Sequence, residues 1–181
     1  MRRGCRMASH QVDVRGNDGM SGMKPLLEIS MGMDAFSSEW LHCDRLSSYI
    51  ARMVSHNRSD SLLYANLLNS ALNELLETVF ANHGADGEFS CRISRDGGTD
   101  VIEITMPCDE KTGEFYAAAA NRLAAATASQ TYQAALFSGG PPDPHLGLLE
   151  IAADYRARIS IEPAGSRLKL SAEMTLEGAV S

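Results

Sequence analysis

The spacing of apolar positions divides this chain into helical and strand-like stretches. Leu46, Ile50 and Val54 recur at helical intervals within residues 41–54, just after Trp40. Residues 61–83 carry Leu68, Leu72, Leu75 and Val79 at intervals of four, three and four. That is the stripe by which a helix buries one side, and Ser59 or Asp60 is placed to cap it. The period then falls to two. Phe89, Cys91 and Ile93 alternate with Ser90, Arg92 and Ser94, and Ile102, Ile104 and Met106 alternate with Glu103 and Thr105. With Asp96-Gly97-Gly98 between the two runs, this predicts a β-hairpin. The Ala-rich run 111–137 predicts one long helix or two short ones. A break at Gly139-Gly140-Pro141-Pro142-Asp143-Pro144 and a short helix over 145–154 follow. Ile159 and Ile161, then Leu168, Leu170, Ala172, Met174 and Leu176, define a second hairpin turning at Gly165. A short strand over 26–31 opens the domain.

The order strand, helix, helix, hairpin, helix, helix, hairpin predicts an α+β domain. Its simplest packing is a two-layer α/β sandwich, one mixed, mostly antiparallel sheet with helices on one face. Residues 1–24, rich in Gly, Arg, Asp and Asn and without periodicity, are expected to be a flexible N-terminal tail, and residues 25–181 the domain.

Charge narrows the function classes. A chain of 181 residues with a formal net charge of −7 suits one domain with a core and argues against tracking nucleic-acid phosphates. No apolar run approaches the roughly 20 residues that span a bilayer. The basic start Met1-Arg2-Arg3 has no apolar stretch behind it, and Cys5, Cys43, Cys91 and Cys108 form no CxxC pair. A cytoplasmic protein with reduced thiols, and no nucleic-acid or membrane partner, is expected. The histidines show no metal-ligand spacing, so no metal site is assigned.

Candidate chemistry lies on the long helix. At roughly 100° per residue, Glu74, Thr78 and Asn82 share one flank of its stripe. Such an edge can face a ligand while its neighbours pack; the alternative is that Glu74 is a solvated face residue. Asp109 stands before the Ala-rich run, where it is either a ligand-reading carboxylate or a helix N-cap. Gly139 and Gly140 are either a mobile lid or loop punctuation.

Residues 73–83 resemble the N box of the GHKL group of ATP-binding proteins, which includes gyrase, histidine kinases and MutL. In that box a Glu polarises the attacking water or hydroxyl, and an Asn four residues on helps to hold the magnesium of ATP. Glu74 matches the Glu and is the candidate catalytic base. Thr78 stands at the Asn position and Ala81 where a cation is common; Thr78 and Asn82 can each hold a metal-bound water. In the adenine-reading box Asp109 and Gly113 match, while Lys111 replaces a glycine. Gly147 matches the later glycine of the phosphate box, and His145 replaces an earlier one. The likeness spans about residues 26–177 and is nearest to bacterial regulators of the SiaB type, then to anti-sigma-factor kinases.

The resemblance implies a GHKL (histidine kinase-like ATPase) fold with degenerate boxes, in which ATP and magnesium bind weakly or not at all. Two functional classes follow. One is a signalling regulator that binds a protein partner, such as a response regulator or STAS-like antagonist, in a partner-switching or two-component network. The other is an active ATP-dependent Ser/Thr protein kinase in which Glu74 aligns the substrate hydroxyl. The face presenting Trp40, Arg45 and Tyr49 is the expected docking surface, and residues 40–54 also offer a face for a homodimer.

Overall fold

The computed structural model describes residues 25–84, 86–124, 128–137 and 139–176. The tail expected over residues 1–24 lies outside them. Five strands, β1 (Pro25–Gly32), β2 (Glu88–Asp96), β3 (Thr99–Pro107), β4 (Arg158–Ala164) and β5 (Arg167–Met174), form one open sheet. Its order is β1-β2-β3-β5-β4. All four neighbouring pairs are antiparallel, which corrects the mixed sheet expected from the sequence. The physical reason is connectivity. Each hairpin places two successive strands side by side, and the helical stretch between them returns the chain so that β5 runs against β3. The hairpins turn where expected, at Gly97 (φ 58°) and Gly165 (φ 68°), in the left-handed region that side chains disfavour.

The described helices are α1 (Met33–Phe36), α2 (Leu41–Ser55), α3 (Ser61–Asn82), α4 (Glu110–Ala124), α5 (Ala128–Leu136) and α6 (Leu146–Asp154). The Ala-rich run is thus two helices. One-turn α1 has no periodicity to announce it; it forms where Phe36 stacks on Phe89 of β2, ring centroids 4.6 Å apart. Leu68, Leu72, Leu75 and Leu76 of α3 are fully buried against the strand residues Ile93, Ile102, Ile104 and Leu170. At roughly 2 kcal/mol per fully buried aliphatic side chain, these four leucines together contribute on the order of 8 kcal/mol to the fold.

The opposite sheet face explains why helices cover only one side. Glu28, Arg92, Glu103, Lys169 and Glu162 alternate in sign across all five strands. Their ion pairs run Glu28–Arg92 (3.2 Å), Arg92–Glu103 (3.9 Å), Glu103–Lys169 (3.0 Å) and Lys169–Glu162 (4.0 Å). Burying such a ladder under a helix would desolvate every member. Arg158 pairs with Glu173, directly opposite on β5.

The start of α3 is fastened to the β2–β3 hairpin by a polar knot. Asp100 is 3% exposed and accepts hydrogen bonds from Tyr64 Oη (2.9 Å) and from Arg95 Nε (2.8 Å) and Nη2 (2.6 Å). The guanidinium carbons of Arg58 and Arg95 lie 4.2 and 4.8 Å from the centre of the Tyr64 ring. Asp60 does occupy the N-cap of α3, but its side chain makes no capping bond. Arg58 takes the carboxylate through two 2.7 Å contacts.

Candidate functional site

Helical spacing places Glu74, Thr78 and Asn82 along one edge of α3, where they contact the starts of α4 and α6. Thr78 Oγ1 donates to the backbone oxygen of Glu74 (2.9 Å), and Asn82 Nδ2 donates to that of Thr78 (2.8 Å). Thr78 is buried. The Asn82 carbonyl in turn accepts from Thr112 Oγ1 on α4 (3.3 Å). Two of the three side chains are therefore engaged by the helix that carries them.

Of the two readings of Asp109, the N-cap is the one observed. It immediately precedes α4, and its Oδ1 accepts the Thr112 N–H at 2.8 Å. That backbone bond is the largest influence holding the Asp109 carboxyl below its ordinary range. Its other oxygen leaves no room for a side chain at Gly84. Gly113 lies within α4, donating its N–H to Asp109 O (2.9 Å), and is not on a loop around a cleft.

Gly147, in the first turn of α6, meets the α3 edge directly. A Cβ there would stand 3.0 Å from Thr78 Oγ1 and 3.2 Å from Glu74 Oε2. A side chain there would push the Thr78 and Glu74 side chains back by a few tenths of an ångström, so Gly147 gives the closest approach of the two helices without strain. The structure thus brings Gly147, Glu74 and Thr78 into contact, with Asn82 one turn further and linked through Thr112 to the Asp109 cap.

The surroundings of Glu74 are acidic. Burial is the largest influence raising its pKa above the usual carboxyl value, and Glu150 of α6 and Glu77 of α3 push in the same direction. Tyr155 is also raised, by burial first, with Glu150, Glu74 and Asp154 adding to it against a hydrogen bond from Ser70. Among the described residues no group of three or more His, Cys, Asp and Glu side chains is arranged to hold a metal ion.

One cluster was missed by the sequence reading. Arg122 of α4 forms an ion pair with Asp143, and Asp143 Oδ1 accepts the His145 N–H at 2.9 Å. Burial pushes the Asp143 carboxyl up, but the His145 N–H and Arg122 outweigh it and hold the carboxyl below its ordinary range. The His145 ring stacks on Phe115, centroids 4.6 Å apart, with Nε2 3.3 Å from the Phe115 carbonyl. So the residue at an expected phosphate-box glycine packs the entry of α6 onto α4. The available signal was an Asp inside the Pro-rich break, three residues before the helix. A cavity of about 240 Å³ beside this break lies between the end of α5 and Gly139–Pro142.

The outer face of α2 is apolar and basic. Leu41, Tyr49 and Met53 are 45–54% exposed, Arg45 and Arg52 are exposed with them, and half-exposed Trp40 precedes the helix. Trp40 is anchored edge-on to Phe80 of α3 at 4.9 Å. Comparison of the chain with protein-family models, with curated proteins and with solved structures finds no match.

Proposed function

We propose that this chain is a signalling regulator with a degenerate histidine-kinase-like ATPase fold, acting by protein–protein binding in a partner-switching or two-component network. The observation that carries the reading is the state of the α3 edge. Thr78, at the position of the metal-holding Asn, is buried with its hydroxyl turned back onto the Glu74 carbonyl, and the Asn82 side chain is turned back onto the Thr78 carbonyl. The donor set fits a magnesium nucleotide poorly for a second reason. Glu74, Glu77 and Glu150 make the local field negative, which opposes a polyphosphate. Arg122, on the helix opposite, is already paired with Asp143. His145 and Gly147 seat α6 against α4 and α3, where a phosphate box would need open backbone amides.

Binding a protein then rests on the outward face of α2. Aromatic and Arg side chains are the usual anchors of such interfaces, and Trp40, Arg45 and Tyr49 present them together. Calorimetric titration with ATP and magnesium tests the loss of nucleotide chemistry; a dissociation constant on the order of 1 mM or weaker is expected. One observation favours the second reading, an ATP-dependent Ser/Thr kinase. Glu74 is a half-buried carboxylate with a raised pKa, the property of a general base. On that reading Glu74→Gln abolishes phosphoryl transfer and leaves folding intact; for a binding module it leaves partner affinity unchanged.

A further inference from the structure

We propose that the partner surface of α2 takes an acidic amphipathic helix, one carrying two carboxylates seven residues apart beside an apolar stripe. The inference rests on the reading of this chain as a binding module, and adds the chemistry of what it binds.

Charge singles out the occupant. Arg58, Arg92, Arg95, Arg122, Arg158 and Lys169 all have carboxylate partners within the described residues. Arg45, Arg52, Lys111, Arg156 and Arg167 form no ion pair there; of these only Arg45 and Arg52 share a helix face, exposed on α2 with Asp44 on the flank beside them. They are seven residues apart, so they share a face about 10 Å apart along the axis. That spacing lets each guanidinium take a carboxylate of its own. It matches two carboxylates at positions i and i+7 of a helix lying along α2. Leu41, Tyr49 and Met53 are exposed on the same helix. The neighbouring helix α3, joined to α2 by the Ser48–Asn69 hydrogen bond (3.3 Å), begins with Leu62, 77% exposed.

Other occupants fit less well. A second copy packed antiparallel on α2 would oppose Arg45 of one molecule to Arg52 of the other, and a parallel pair would oppose each Arg to itself. The N-terminal segment carries Arg2, Arg3, Arg6 and Arg15 and repeats the sign of the face. Two arginines, at about 1 kcal/mol each, are too few to hold the chain on an anionic membrane.

Trp40 is the only tryptophan of the chain, so its emission reports on this surface. The test titrates the full chain with three synthetic amphipathic helices that share one Leu stripe and carry Glu, Gln or Lys at the two flanking positions. The Glu peptide is expected to shift Trp40 emission and to bind about tenfold more tightly than the Gln peptide at low salt, with the Lys peptide weakest. Arg45→Glu/Arg52→Glu should reverse that order. Arg45→Gln/Arg52→Gln should abolish it, with circular dichroism confirming that both variants fold. No charge preference in the wild type, or the same preference in either variant, overturns the proposal. So does a dimer in sedimentation that Tyr49→Glu dissociates, or retention of the chain on phosphatidylglycerol vesicles. Tight magnesium-ATP binding alongside a reversed peptide order would sink the regulator reading alone. Weak ATP binding with no charge preference would sink this inference alone.

Discussion

Replacing Asp100 with Ala should destabilise the domain more than any exposed substitution, because Asp100 joins α3 to the sheet. The carboxylate is 3% exposed, and it satisfies three donor atoms, one of Tyr64 and two of Arg95. Removing one member of a buried charge pair costs about 3–5 kcal/mol, chiefly because the other charge is left unpaired. Arg95 is 22% exposed, so water relieves part of that cost and the lower end, about 3 kcal/mol, applies. For a domain of this size that corresponds to a fall of roughly 6–12 °C in Tm. Tyr64→Phe removes one donor and leaves Asp100 held by Arg95, so it should cost only about 1 kcal/mol. Urea unfolding at neutral pH measures both. If Asp100→Ala costs under about 1 kcal/mol, or no more than Tyr64→Phe, the knot does not bear the role given to it.

Glu74→Gln should raise stability at pH 7 by a few tenths of a kcal/mol, a modest gain because the group is only partly buried and screened. The sign follows from linkage. The folded-state pKa of Glu74 is raised, so the ionised form weakens the fold, and the penalty appears as pH rises through the folded value. Below the ordinary carboxyl value of 4.5 Glu74 is protonated folded and unfolded, and the advantage of Gln should vanish; thermal scans at pH 4 and pH 7 compare the two. Tyr116→Phe should be neutral or stabilising by up to about 1 kcal/mol, since the Tyr116 hydroxyl is buried without a hydrogen-bond partner among the described residues; a loss above 1 kcal/mol in chemical denaturation would contradict this. Deleting residues 1–24 should leave Tm within about 2 °C by calorimetry, because that segment lacks the apolar spacing to contribute a core.

What could be read in advance was whatever a period encodes. The stripe of α3 and the alternation of β2, β3 and β5 place their buried residues correctly because burial itself imposes those spacings. Strand sense and the fate of polar groups were not legible, since both depend on partners distant in sequence. Asp60 sits at the cap position, yet Arg58 captures it; Asp109 has no such competitor and does cap. Lys169 reaches Glu103 only because the β3–β5 pairing sets the two strands side by side. The Glu74–Thr78–Asn82 edge was legible as an aligned flank. Its contact with Gly147, 73 positions after Glu74, and the back-bonding of Thr78 needed the packed helices to become visible.

The proposal that α2, rather than the α3 edge, carries the function is decided by calorimetric titration of the full chain with ATP, with and without magnesium. Binding on the order of 1 mM or weaker, unchanged by magnesium and by Glu74→Gln, is the expected result. Micromolar binding that requires magnesium, with phosphoryl transfer lost in Glu74→Gln, would contradict the account and establish the kinase reading in its place.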